Sequence, residues 1–187
     1  MDPAIVYING YPGVGKLTVA RELSKLISNS KIIDNHHLID PVAMLYDRNM
    51  PEYQPLRRAV SQREAVLSSI VKSSSTKNVT WICTDQQSSS PTGSVVALDY
   101  ARAAETRRCR LVSVILHCQA EENERRITAT GRGGPTNSKL TDLAILRTIR
   151  EREDIYHFGG KDEVEIDVTA RSAEETARLI VNFISEN

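Results

Sequence analysis

Aromatic residues make up only 5% of this 187-residue chain, so aliphatic side chains must supply most of its core. A net charge is also missing, because 24 Lys and Arg balance 24 Asp and Glu. A dedicated nucleic-acid or membrane-surface protein would carry a basic excess, and scarce aromatics further reduce the means of stacking on bases. Neither nucleic acid nor membrane is therefore an expected partner. Cysteine is sparse: Cys83, Cys109 and Cys118 are widely spaced, form no Cys-x-x-Cys pair and read as small buried hydrophobes with reduced thiols. No apolar run nears the roughly 20 residues that span a bilayer, and Met1-Asp2-Pro3 leads straight into a strand-like segment. The expectation is a cytoplasmic chain with no anchor. What is present, 40% hydrophobic and 26% charged residues over a length suited to one core, fits a single globular domain spanning residues 1–187.

Five aliphatic and β-branched runs punctuate the chain, at 4–8, 31–33, 79–84, 111–116 and 164–168. The first, third and fourth show little polar alternation, as strands covered on both faces do. Between the runs, apolar residues recur at helical spacing. Val19, Ala20, Leu23, Leu26 and Ile27 follow the first run, and Ala173, Ala177, Ile180, Phe183 and Ile184 form a stripe near the end. Ser172, with Glu175 three residues on, predicts a capping box at the start of the last helix. Alternating strands and helices predict an α/β fold, a three-layer α/β/α domain with a five-stranded parallel sheet whose ligands gather at the carboxyl ends of the strands.

The first run ends in Gly10-Tyr11-Pro12-Gly13-Val14-Gly15-Lys16-Leu17-Thr18, a phosphate loop of Gly-x-x-x-x-Gly-Lys spacing. Backbone N–H groups can wrap phosphate oxygens only where no Cβ blocks the approach, which is the use of the glycines. Lys16 adds a positive charge, and the helix opening there aims its N-terminal amides at the same anion. The motif follows a buried-looking strand and opens an amphipathic helix, the context that separates a working loop from a glycine-rich turn. The position after Lys16, usually a magnesium-binding hydroxyl, holds Leu17, and a hydroxyl comes one residue later at Thr18.

This order of motifs resembles the small P-loop kinases, among them shikimate kinase, gluconate kinase, adenylylsulfate kinase, chloramphenicol phosphotransferase and the nucleoside monophosphate kinases. The resemblance covers nearly the whole chain, and the Lys-Leu-Thr ending is similar to the Gly-Lys-Gly-Thr of the last group. The sequence has no Asn-Lys-x-Asp of GTPases, no Leu-Ser-Gly-Gly-Gln of transporter ATPases and no paired Asp-Glu of AAA machines. The resemblance implies a P-loop fold with a helical acceptor-binding insert at about 35–65 and a lid at about 128–141. It also implies ATP and Mg2+ as cofactors. Gly10, Gly13, Val14, Gly15, Lys16, Leu17 and Thr18 are then nucleotide contacts, with Thr18 on a phosphate oxygen and the metal held mainly through water.

Further roles follow from the same resemblance. Asp34, at the end of the second run, matches the acid beside the γ-phosphate and is a base or a ligand of metal-bound water, a helix N-cap being the plain alternative. His36 stands where the second acid of an Asp-x-Asp pattern is expected and could touch the acceptor. A hydrogen-bonded or solvated His36-His37 pair, or a metal pair of His36 with Asp40, are the alternatives. Asp85 closes the third run like a relaxed Walker B acid, which would hold magnesium through water. Gln86 and Gln87 follow as acceptor contacts or as solvated loop residues. Arg57, with Arg58 and Arg63, falls in the insert and could meet an anionic acceptor or pair on a solvated helix face.

Past the fourth run, Gly131-Arg132-Gly133-Gly134 gives an arginine free to swing, the property a lid residue needs to exclude water only when substrates are bound. Arg132 is preferred to Lys139 for that role, and Arg126, with Arg125 one register step away, is the candidate to stack on adenine. Thr169-Ala170-Arg171 would touch the other side of the base. The combined expectation is an ATP-dependent phosphotransferase that moves the γ-phosphoryl group to a hydroxyl or phosphate of a small-molecule acceptor, with Lys16, Asp34 and Arg132 catalytic. Two other readings stay open. Leu17 and the incomplete Asp-x-Asp suit a non-catalytic or slow ATP-binding switch module, and the Lys-Leu-Thr ending suits a nucleotide or 5′-end kinase.

Overall fold

The computed structural model describes residues 2–37, 45–46, 50–53, 56, 63–132 and 139–186. Its strands are β1 (Ala4–Asn9), β2 (Ser30–Asp34), β3 (Thr80–Thr84), β4 (Arg110–His117) and β5 (Glu163–Asp167). Its helices are α1 (Lys16–Leu26), α2 (Arg63–Lys72), α3 (Pro91–Arg107), α4 (Ala120–Ile127), α5 (Leu143–Arg152) and α6 (Ala173–Glu186). All strand pairings are parallel, in the order β2-β3-β1-β4-β5. The five expected runs thus become the five strands of one sheet. No helix among the described residues is long and apolar enough to cross a membrane.

The unalternating strands have the expected cause, since β1 is buried along its whole length and both of its faces are covered. Val6 and Ile8 join Ile82, Val114 and Leu116 under α1 and α6, whose Val19, Ala20, Leu23, Ala177 and Ile180 complete that layer. Ile5 and Tyr7 face the other way, onto Leu67 and Ile70 of α2 and Tyr100 and Ala104 of α3. The result is a three-layer α/β/α sandwich. Burying a leucine or isoleucine fully at such positions is worth about 1.5–3 kcal/mol. Leu26, expected on the apolar stripe of α1, is instead 45% exposed at the last position of the helix, while Ile27 next to it is 5% exposed and joins the core.

All three cysteines are free, with Cys83 and Cys118 buried and Cys109 partly so. Burial pushes each thiol up, away from the reactive thiolate.

The capping box forms as the sequence predicts: the Ser172 hydroxyl accepts from the Glu175 N–H at 3.1 Å, and the Glu175 carboxylate accepts from the Ser172 N–H at 2.8 Å. Ser172→Ala removes one side of that reciprocal cap and is expected to cost about 1 kcal/mol. In thermal unfolding this is a fall of about 2–4 °C in Tm.

Candidate functional site

The sheet order puts β1 between β3 and β4, so the loops leaving the carboxyl ends of β1 and β3 open beside each other. Asn9, the last residue of β1, ties them together and is fully buried. Its Oδ1 accepts from the N–H groups of Gly10 and Gln87, both at 2.9 Å, and its Nδ2 donates to the carbonyls of Gln87 (3.0 Å) and Tyr156 (3.1 Å). The phosphate loop therefore starts from a fixed point.

Two of its glycines are dictated by close approach. A Cβ on Gly10 would meet the Leu116 carbonyl oxygen at 2.3 Å, and one on Gly13 would meet Asn123 Nδ2 at 2.6 Å, with φ of +147° and +92° respectively. Asn123, fully buried in α4, donates to the Pro12 carbonyl at 2.8 Å and accepts from Arg150 Nη1 at 3.0 Å. The Arg150 guanidinium lies 4.9 Å from the centre of the Tyr11 ring, whose hydroxyl donates to the Glu153 carbonyl at 2.6 Å. Loop, α4 and α5 are thereby fastened into one frame.

At the start of α1, Gly15 caps the helix in a left-handed conformation with no side-chain hydrogen bond, and the first turn has no acidic residue. No side chain of the N-cap residue therefore caps the first-turn amides, the arrangement in which a helix N-terminus can accept an anion. Lys16 folds back over the loop, its Nζ donating to the carbonyls of Gly10 at 2.6 Å and Tyr11 at 2.9 Å. Burial pulls its pKa down to about 8. The Asp85 carboxylate opposes that shift, Arg132 adds to it, and Asp34 opposes it more weakly.

A cleft of about 150 Å³ opens over this loop and brings together Gly13, Gly15, Lys16, Leu17, Thr18, Asp34, His36, Asp85, Gln86 and Arg132 from the sequence expectation, along with Lys139. Gly10 sits behind the loop, fully accounted for by Leu116 and the Lys16 contact. Asp34 is 4% exposed; its Oδ1 accepts from Thr84 Oγ1 at 3.1 Å and from the His36 N–H at 3.2 Å, so it caps the next turn while lining the cleft. The two readings of Asp34 are compatible. Asp85 is 2% exposed and held at both oxygens, accepting from the Gln86 N–H at 2.8 Å and from Tyr100 Oη at 3.1 Å. The Gln86 amide reaches the Glu153 carboxylate at 3.4 Å.

A second cavity, about 300 Å³, adjoins the first and shares Gly13, Gly15, Thr18 and Arg132 with it. Val14, Arg126, Val168 and Arg171 complete the walls that matter here. The edges of the Arg126 guanidinium are taken by Glu122 (2.6 Å) and by the carbonyls of Val14 (3.1 Å), Val168 (2.7 Å) and Thr169 (3.2 Å), which leaves its faces for stacking. Arg125, the neighbouring register, does not reach this cavity. It is exposed and pairs with Glu122, whose carboxyl Arg125 and then Arg126 hold down at about 2. Arg132 is half-buried, donates from Nε to the Leu140 carbonyl at 3.0 Å, and has its pKa lowered by burial.

Among the described residues, no group of three His, Cys, Asp or Glu side chains is placed to hold a metal ion. Arg57, Arg58, Asp40, Gly133, Gly134 and the Arg63 side chain lie outside the described set, so the expectations resting on them have no counterpart here. Sequence reasoning missed Asn9 and Asn123 as the fasteners of the loop, Asn35 and Thr84 in the cleft wall, and the Arg150–Tyr11 stack. For Asn9 the available signal was an asparagine closing a buried strand, since an amide is buried only where it is hydrogen-bonded, whereas Asn123, flanked by Glu122 and Glu124, offered none.

The AAA domain family model matches residues 6–153. The Thr84-Asp85-Gln86 ending lacks the paired Asp-Glu of AAA machines, yet the match runs through it. No curated protein sequence matches the chain. Among solved structures, the fold is similar to a gluconokinase from Sinorhizobium meliloti 1021 at TM-score 0.60 and 16% identity, covering 98% of this chain and 93% of that one. It is also similar to the shikimate kinase of Acinetobacter baumannii in complex with shikimate, at TM-score 0.56 and 20% identity over 100% and 95% of the two chains. The APS kinase of Mycobacterium tuberculosis, in complex with AMPPNP and APS, gives TM-score 0.58 and 16% identity over 98% of each chain. At these identities the likeness is one of fold.

Proposed function

The chain belongs to the AAA-domain family, and within it we propose a single P-loop domain, residues 1–187, that transfers the γ-phosphoryl group of ATP to a small-molecule acceptor. The observation that carries this reading is the convergence of Lys16, Asp34, Asp85, Arg132 and Lys139 on one cleft over the phosphate loop. A polyphosphate needs cations and amides on one side, and an acceptor hydroxyl needs a carboxylate on the other.

In this reading the free amides at the start of α1 and the Lys16 ammonium bind the β- and γ-phosphates. The faces of Arg126 and the wall of the second cavity, including Arg171, take the base. Asp34 orients the acceptor hydroxyl and accepts its proton, leaving the oxygen free to attack phosphorus as the bond to the β-phosphate oxygen breaks. Arg132 balances charge on the equatorial oxygens of the transferring group and, with the lid at about 128–141, excludes water. The acceptor-binding insert expected at about 35–65 lies largely outside the described residues.

The residues present fit a magnesium ion carried in on the nucleotide rather than one caged by protein. Leu17 stands where a hydroxyl ligand is usual, and both Asp85 oxygens already accept protein hydrogen bonds. Thr18, Asp34 and Asp85 would hold it mainly through water, and its chemistry there is to neutralise phosphate charge.

The switch-module reading draws on the same Leu17. The two are separated by ADP release from ATP with and without added small molecules. A phosphotransferase speeds up at least tenfold with its acceptor, whereas a switch binds ATP and ignores every acceptor.

A further inference from the structure

Asn35 follows Asp34 in the cleft wall and is anomalous among the buried amides of the site. Asn9 and Asn123 spend their amide groups on protein partners. The Asn35 side chain is nine-tenths buried, yet its Oδ1 has no hydrogen-bond partner among the described residues. Its backbone is held, the N–H donating to the Thr84 carbonyl at 3.1 Å, so the residue is anchored while its carbonyl oxygen is not. An orphaned buried acceptor is destabilising, and such a group persists where a ligand completes it. Nothing among the described residues holds that oxygen in its present rotation. Asn35 lines the cleft, so a donor on a molecule bound there is the kind of group that would complete it.

The surrounding charge narrows what would complete it. On the wall supplied by the ends of β2 and β3, the described residues are Asp34, Asn35, His36, Thr84, Asp85 and Gln86, which include two carboxylates and no lysine or arginine. Among the described residues, the cations of the cleft are Lys16, Arg132 and Lys139, which come from the phosphate loop and the lid side. An anionic acceptor placed against the β2–β3 wall would face Asp34 and Asp85, whereas hydroxyl groups would supply the donors that Asn35 and Asp34 accept.

We propose that Asn35 is a substrate-reading residue of this cleft and that it reads a neutral, hydroxyl-rich acceptor of the polyol or sugar class. This rests on the phosphotransferase reading above and adds to it the class of acceptor and the residue that selects it.

The test measures ADP release by the full-length protein with D-glucose, D-ribose and D-sorbitol as neutral probes and with gluconate, shikimate and AMP as anionic ones, in wild type and Asn35→Ala. The proposal expects stimulation at least tenfold greater with a neutral probe than with any anionic one. It further expects Asn35→Ala to raise the KM for that probe at least tenfold, with the KM for ATP changed less than twofold. Thermal unfolding of Asn35→Ala supplies a second readout: Tm is unchanged or higher, because a buried unpaired carbonyl is removed. Preference for an anionic probe, or an unchanged acceptor KM in Asn35→Ala, overturns the inference while leaving the phosphotransferase reading in place. A drop of several degrees in Tm also overturns it by making Asn35 a structural residue. Failure of the underlying reading looks different, since the wild-type protein then binds no ATP, or binds it and releases ADP at a rate that none of the six probes alters.

Discussion

Lys16→Met is expected to lower acceptor-dependent ADP release by about 10²–10³-fold, the loss usual when one preorganised donor to a transition-state oxyanion is removed. The fold should be unharmed. The Lys16 ammonium is held by two loop carbonyls and its pKa is pulled down to about 8, because burial disfavours its charge. The sign of the pH effect follows from that shift. A lysine whose folded pKa lies below its unfolded value binds fewer protons in the native state between the two values. Its contribution makes the protein more stable as pH rises through about 8 toward the ordinary lysine range. Lys16→Met removes that contribution, so the variant should melt no lower than wild type near neutral pH and show a flatter dependence of Tm above pH 8.

The same titration acts on ligand binding with the opposite sign. A polyphosphate prefers the ammonium, so the KM for ATP should rise about tenfold between pH 7 and pH 9, with its midpoint near 8. Lys16→Met should lack that inflection. An inflection that persists in the variant assigns it to another group.

Asp34→Asn is the second large effect, an expected fall in kcat of about 10²–10⁴, the range for loss of a general base. The amide is isosteric and its oxygen can still accept from Thr84 Oγ1 and the His36 N–H, so the turn after β2 is preserved. This variant therefore tells the two roles of the residue apart. If Asp34 only caps the turn, Asp34→Asn keeps its turnover and shows at most a small loss of Tm. If it prepares the acceptor, kcat collapses while the KM for ATP stays near its wild-type value.

Much of the scaffold was legible because its causes are local. β1 and β3 are uninterrupted apolar runs since both faces of the sheet are covered, and the Ser172–Glu175 cap needs only three residues of sequence. The phosphate loop was legible for the same reason, Gly10 and Gly13 answering to contacts that a side chain would break and Gly15 to a positive φ. What stayed hidden depends on partners distant in sequence. Asn9 bonds to residues 78 and 147 positions away, and Asn123 holds Pro12 across 111 positions. Arg125 and Arg126 differ by a single step on a helix, a rotation of about 100°, and only the packing of α4 against the phosphate loop sends Arg126 to the second cavity and Arg125 to solvent. The orphaned oxygen of Asn35 was invisible for a further reason: a missing partner leaves no trace in spacing or composition.

The most direct measurement follows the fate of the γ-phosphoryl group itself. Wild type and Lys16→Met are incubated with γ-labelled ATP and the neutral and anionic probes, and label is counted separately in small-molecule product and in inorganic phosphate. Label that passes to an acceptor faster than to water in wild type, and at least 10²-fold more slowly in Lys16→Met, is the predicted result. Label found only as inorganic phosphate, at a rate that no acceptor alters, or transfer that continues undiminished in Lys16→Met, would contradict it.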